Sequence, residues 1–327
     1  MMDPVIYGDI SAGIPHEKGT FSPLDMIEYR YPFHVIGFSW TEKGPVWTLL
    51  SMIGEGEVLR PEGEPFEVNL VEMEKVDLRL SSGRYCVGRF DGDEYIPCPY
   101  QAKVELFAQC PSCMMFDIPD PSCIFEPHCN RGTCGADFCQ VEHVVYVTGF
   151  RNRFKVGMTQ LRRVERRGME QGADSITPVV HLGDRYSARM VEGLFSRLSG
   201  LPQAVSSGVK IGGWARPLRK DDMKTAIERL HSELVGNWGG MRHRLSSDVK
   251  VVTGPNEIDP EPRWLSYPLE EPLPSVPRRY KGEIVRGKVL GYKGNYMIFR
   301  SGGLRAFRIG VTPGSVVYLQ ENIVGQG

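Results

Sequence analysis

All eight cysteines of this 327-residue chain fall between Cys86 and Cys139, and six of them lie with two histidines inside a single stretch. That stretch, "CPSCMMFDIPDPSCIFEPHCNRGTCGADFCQVEH" (110–143), is rich in turn-forming residues and poor in apolar ones, so it lacks the material for a core of its own. A bound metal would supply what the core cannot. Cys110-x-x-Cys113 has the spacing that lets two thiolates reach one tetrahedral ion, and Cys129, Cys134, Cys139 and His143 follow within reach. The expected metal is a structural Zn²⁺. Cys123 and His128 bring the donors above four, so either one ion leaves spare ligands or a second is bound.

Nothing else in the composition is extreme. Formal net charge is −1, and 41% of residues are apolar, enough for more than one core. No apolar run approaches the roughly 18 residues needed to span a bilayer, and "MMDP" lacks the basic and apolar regions of a signal peptide. The expectation is a cytoplasmic protein without membrane contact, where thiols stay reduced and clustered cysteines favour metal over disulfides. Charge is segregated along the chain. Six arginines and Lys155 lie between Arg151 and Arg167 against the single acid Glu165. This is either a solvated basic face or a phosphate-binding surface.

The alternation in residues 1–104 predicts an N-terminal β domain, followed by the zinc segment at 105–143. In 144–157, "VVYVTGFRNRFKVG", two β-prone runs flank the turn residues Gly149 and Asn152, which predicts a hairpin. Helices are expected over 161–171, 187–198 and 221–235. In the second of these, Met190, Val191, Leu194, Phe195 and Leu198 form the expected buried stripe, with Glu192 outside it and free to face a cleft. Proline-rich connectors from about 251 lead to alternating, glycine-rich sequence that predicts a small barrel-like β domain over 251–327.

The strand–turn–strand with "VYV" and "KVG", the arginine-rich helix and the later helix bearing Glu192 together resemble the GIY-YIG nuclease superfamily. In that family two strands carry paired tripeptides, the next helix gives an arginine and a following helix gives a metal-binding glutamate. Val145-Tyr146-Val147 and Lys155-Val156-Gly157 stand at the tripeptides, with Lys155 in place of the second tyrosine. The resemblance implies an α+β fold with a GIY-YIG-like core at 144–250. Its implied catalytic residues are Tyr146, Lys155, Arg163 or Arg167, and Glu192, the last holding Mg²⁺ or Mn²⁺. The chain also resembles an uncharacterised prokaryotic family that joins a zinc segment to such a core. That resemblance rests on Cys110-x-x-Cys113, Pro127-x-Cys129, Gly132 to Cys134, Cys139, His143, "KVG", "QGA" at Gln171 to Ala173, Arg185-Tyr186 with Val191-Glu192, and "GYKGNYMIF" at Gly291 to Phe299. Relatives often carry two further cysteine pairs upstream. This chain keeps only Cys86 and Cys98 there, so no second zinc site is expected at those positions.

Two functions follow as expectations. One is metal-assisted cleavage of RNA or DNA phosphodiesters; the other is non-catalytic RNA binding, on tRNA or the ribosome, through the same basic cleft. The expected partner is nucleic acid, RNA before DNA.

Overall fold

A computed structural model describes residues 31–55, 58–92, 94–117, 137–215, 218–269 and 273–319. The fold is mixed α+β and mostly strand. The described residues divide into two compact units, one within 31–116, 279–290 and 299–319, the other within 117–278 and 291–298.

The first unit begins with three long strands, β1 (Tyr31–Thr41), β2 (Gly44–Glu55) and β3 (Val58–Asn69), paired antiparallel in sequence order. Phe33, Val35, Trp47 and Leu49 are buried along them, and a register shift between Val35 and Gly37 bends β1. Gly37 sits against Thr48, whose Oγ1 would lie 2.9 Å from any added Cβ. β4 (Lys75–Arg84) follows, and a short hairpin of β5 (Arg89–Asp91) and β6 (Glu94–Ile96) leads to α1 (Pro111–Asp117).

The second unit holds α2 (Asp137–Gln140), then β7 (His143–Phe150) and β8 (Arg153–Gln160), the hairpin expected from "VVYVTGFRNRFKVG". After it come α3 (Val164–Gln171), β9 (Ser175–Leu182), α4 (Arg185–Ser199), α5 (Ser207–Trp214), α6 (Lys220–Arg242), β10 (Val251–Thr253) and β11 (Arg263–Trp264). The sheet runs β10-β9-β7-β8, with β11 also on β9. Every residue of β7 is buried, because the strand lies between two neighbours and is covered on both faces. Alternation divides its side chains. Val145 and Val147 join a core with Val191, Phe195, Leu230 and Leu234 of α4 and α6, while Val144 and Tyr146 join Val164 of α3 and Ile176.

The helix boundaries have local causes. Asp184 caps α4 by accepting the Ser187 N–H at 2.7 Å, and Gly200 ends it at φ +70°. The buried face of α4 differs from the expected stripe. Met190 and Leu198 are exposed, whereas Ala188, Val191, Glu192 and Phe195 face inward. These four are themselves a helical i, i+3, i+4, i+7 set, so an apolar-only reading of the pattern rotates the face by about one residue.

The remaining strands are β12 (Arg278–Tyr280), β13 (Ile284–Lys293), β14 (Tyr296–Arg300), β15 (Leu304–Phe307) and β16 (Ser315–Leu319). They do not form the barrel expected over 251–327. The nine-stranded order is β12-β15-β14-β13-β4-β16-β1-β2-β3, an open path, and the described residues contain no closed barrel. β16 lies between β1 and β4, so strands from the two ends of the chain interleave. Short glycine-rich strands read alike in a barrel and in an open sheet, and pairing between strands so far apart in the chain leaves no mark in a local pattern. Among the described residues no helix is long and apolar enough to cross a membrane.

Candidate functional site

Two places carry concentrated chemistry, one in each unit. In the first, Cys86, Cys98, Cys110 and Cys113 are all buried, and their sulfurs lie within 4.8 Å of one another. Four thiolates around a tetrahedral ion at about 2.3 Å would sit about 3.8 Å apart; the Cys98 and Cys110 sulfurs are 3.9 Å apart. The Cys110 N–H also donates to Cys86 Sγ at 3.1 Å, a bond that suits a sulfur carrying negative charge. Burial pushes the Cys86 and Cys113 thiols up, whereas at Cys98 burial is outweighed by hydrogen bonds from the Ala102 and Tyr100 backbone, which draw it down; four thiolates this close together call for a cation among them. The cluster could hold a metal ion.

Cys110-x-x-Cys113, predicted as ligands, thus come together, but with Cys86 and Cys98, the two cysteines set aside above. The β5–β6 hairpin explains this. Its register, Arg89↔Ile96 to Asp91↔Glu94, brings the residues just outside its open end, Cys86 and Cys98, side by side. Gly88 makes the close turn at φ +71°, where a Cβ would meet Ile96 O at 2.5 Å. The usable sequence signal is the glycine between two short alternating runs in "RFDGDEYI", flanked by a cysteine on each side. Of the other predicted ligands, Cys129 and Cys134 lie outside the described residues, as do Cys123 and His128. Cys139 and His143 belong to no cluster of three or more ligating groups among the described residues, and His143 Nδ1 bonds to Val141 O at 2.8 Å.

The second place is built on the β7–β8 hairpin. Tyr146 and Gly157 are directly opposed in register, as are Thr148 and Lys155, so Tyr146 and Lys155 project from the same face. Gly157 is required by Tyr146, since an added Cβ would lie 2.5 Å from the phenol oxygen. That oxygen accepts a hydrogen bond from Gln171 Nε2, at the end of α3, at 2.7 Å. Burial holds the phenol above its ordinary range, against opposing pulls from Arg167 and the Gln171 hydrogen bond.

Lys155 is buried, and its Nζ donates to Gln203 O at 3.1 Å. Gln203 lies in the loop after α4, where Pro202 O also accepts the Val156 N–H of β8. Burial, then the charges of Arg167 and Lys210, bring the Lys155 ammonium down to about 7, with Glu192 pulling the other way. A lysine in water would be almost wholly protonated at neutral pH. This one is poised between its two forms.

Glu192 is only 4% exposed and bonds through Oε2 to Arg189 at 2.6 Å. Burial raises its carboxyl above the usual range, while Arg189, Lys155 and Arg167 oppose the rise. Arg163, just before α3, and Arg166 and Arg167 on it all reach the one carboxylate of Glu170, at 2.9, 3.4 and 3.2 Å. Three guanidiniums share one acid, and of the three it is Arg167 that acts on Tyr146. Of the predicted residues, Tyr146, Lys155, Arg167 and Glu192 therefore interact electrostatically, whereas Arg163 enters through Glu170.

The supports of this site carry little signal in the sequence. Gln171 stands out there only within "QGA", and Arg189 only as a pairing partner for Glu192. A further support sits under the hairpin turn. Arg151 has φ +56°, and its N–H is held by Asp174 Oδ2 at 2.7 Å. Asp174 Oδ1 accepts from Lys293 Nζ at 2.8 Å, and Lys293 is 2% exposed. The "QGA" and "GYKGNYMIF" segments meet here. Gly172 and Gly294 both have positive φ and pack so closely that a Cβ on Gly294 would lie 2.5 Å from the Gly172 nitrogen.

Fold and sites together define a mostly-β α+β protein with a buried four-cysteine cluster able to hold a metal ion and a separate cluster of buried ionisable side chains. The chain belongs to a family described as "Protein of unknown function (DUF2797)", which matches residues 74–310. No curated protein matches the chain, and no solved structure does.

Proposed function

We propose that this protein is a divergent GIY-YIG-like endonuclease that acts on RNA or DNA phosphodiesters, with a structural Zn²⁺ held by Cys86, Cys98, Cys110 and Cys113. The zinc assignment rests on an all-thiolate, closed donor set with no position left for substrate. The nuclease assignment rests on one observation. Tyr146, Lys155, Arg167 and Glu192 come from β7, β8, α3 and α4, in that order along the chain, and Arg167 and Glu192 each act on the ionisation of both Tyr146 and Lys155. The order β7-β8-α3-β9-α4 is also the order in which the resemblance needs its elements.

Each residue has a role its surroundings suit. Lys155, brought down to about 7, has a neutral form within reach at neutral pH and can take the proton of an attacking water. Tyr146 keeps its proton and can orient that water or a phosphate oxygen through its O–H. Arg167 places positive charge against the phosphate. A divalent ion suits Glu192, since a desolvated carboxylate gains from a cation and Mg²⁺ needs only one or two carboxylates besides substrate oxygens. When bound there, it would stabilise charge on the phosphate.

A second reading keeps the cleft and drops the chemistry, leaving an RNA-binding protein. The 2.6 Å contact of Arg189 with Glu192 favours it, because the carboxylate already has a cation. The two separate on end-labelled RNA and DNA incubated with Mg²⁺ or Mn²⁺. The nuclease reading expects cleavage by wild type and none by Glu192→Gln, with affinity retained in both. Salt-sensitive binding with no cleavage in either metal would leave the binding protein.

A further inference from the structure

The tip of the β7–β8 hairpin, Phe150 to Arg153, faces Val209, Gly212 and Gly213 of α5 across a cavity of about 330 Å³. That volume is at the small end for ligand pockets, the size of one small planar group with its attachments. Two features of the walls are not explained by packing. Gly212 lies within an eight-residue helix, yet a Cβ there would meet nothing within 4 Å, and at Gly213 it would touch only the Arg151 side chain, at 3.4 Å. Glycine inside a helix lowers stability by about 1 kcal/mol relative to alanine. Here it opens a floor instead of admitting a neighbour. The second feature is Arg151, a long side chain on backbone in the left-handed region that turns usually give to glycine or asparagine. Asp174 holds its N–H in that conformation, and Lys293 holds Asp174.

The wall chemistry is that of a nucleotide site. Arg151 and Arg153 supply guanidiniums for phosphate, the Asn152 amide offers both a donor and an acceptor to a base edge, and Val209 with the glycine backbone gives a flat apolar surface. Arg153 is two residues from Lys155 on β8, so they share a face about 7 Å apart, comparable to the reach from one phosphate to the next. Lys210 of α5, with its Nζ 4.9 Å from the Phe150 ring, lies on the same side.

We propose that this pocket is the subsite for one nucleotide of a single-stranded nucleic acid, adjoining the phosphate bound between Lys155 and Arg167. The proposal rests on the nucleic-acid reading above and adds to it a single-stranded substrate and the residues that hold it. The test uses the full-length protein and a fluorescent tetrauridylate, titrated without divalent metal so that binding is read apart from cleavage. Gly236→Ala, in α6 and not among the residues lining the pocket, should bind as wild type does. Gly212→Leu, which fills the floor, should weaken binding about tenfold, as should Arg153→Gln, in proteins whose thermal melting shows them folded. Unchanged affinity in Gly212→Leu, with binding lost in Arg167→Gln, would overturn the subsite and leave the nucleic-acid reading standing. No binding of tetrauridylate by wild type would overturn the subsite, while the nucleic-acid reading is decided by the labelled RNA and DNA above. Equal affinity for free uridine monophosphate and for the tetramer would also overturn the subsite, since the pocket would then serve free nucleotides.

Discussion

Replacing Lys155 by methionine should make the protein more stable near neutral pH and alter how its stability responds to pH. In the unfolded chain the ammonium titrates at 10.5, and in the folded protein burial and the Arg167 and Lys210 charges bring it to about 7. That difference is a penalty of roughly 5 kcal/mol on the protonated folded state. Between pH 7 and 10.5 the unfolded chain binds more protons than the folded one, so this group makes stability rise with pH across that window. The penalty is full below about pH 7, about 4 kcal/mol at pH 7, about 2 kcal/mol at pH 9, and gone above about 10.5. A methionine side chain there would fill a similar volume without the charge. Urea denaturation of both proteins at half-unit steps from about pH 6 to 9 should therefore find Lys155→Met the more stable at neutral pH, with the gap narrowing by about 2 kcal/mol by pH 9. Titrating groups that do not interact with Lys155 cancel in the difference. A gap that stays constant with pH would refute the depressed lysine and with it the role given to Lys155 as a proton acceptor.

Cys86→Ser should lose one equivalent of metal per chain, as Cys110→Ser should, measured by elemental mass spectrometry; unchanged metal in Cys86→Ser would overturn the ligand set. Gly157→Ala should cost about 1–3 kcal/mol in thermal denaturation, because its Cβ has no room beside the Tyr146 oxygen. In contrast, Gly236→Ala in α6, where a Cβ meets nothing, should gain about 1 kcal/mol; equal effects at the two glycines would contradict the packing at Tyr146. Lys293→Met, by leaving Asp174 without its cation, should cost about 3 kcal/mol in the same assay. A neutral result there would mean that Asp174 is held by the Arg151 N–H alone.

What can be read from the sequence is local. The hairpin at 144–157 is legible because its β-branched runs and turn are adjacent in the chain, and α6 is legible because Met223, Ile227, Leu230 and Leu234 repeat on one face. Tyr146 and Lys155 are found through their tripeptides, and Glu192 through its place on the later helix. Other features depend on pairing between distant residues. Cys86 and Cys98 look like remnants because no short spacing joins them, and only a hairpin makes them neighbours. Lys293 reaches Asp174 across 119 positions, and a lone lysine in a glycine-rich strand gives no sign of being buried. The insertion of β16 between β1 and β4 is of the same kind. The ionisation of Lys155 is also hidden, since a lysine in "FKVG" reads as an ordinary cation until its burial is known.

The role proposed for Tyr146, Lys155, Arg167 and Glu192 is metal-assisted phosphodiester cleavage, with Lys155 as proton acceptor. Its most direct test is the single-turnover cleavage rate of an end-labelled single strand with saturating Mn²⁺, followed from about pH 5.5 to 9. The rate should rise about tenfold per pH unit at low pH and level off near 7, with that profile lost in Lys155→Met and no cleavage by Glu192→Gln. Cleavage with the same pH profile in Lys155→Met, or with an undiminished rate in Glu192→Gln, would contradict it.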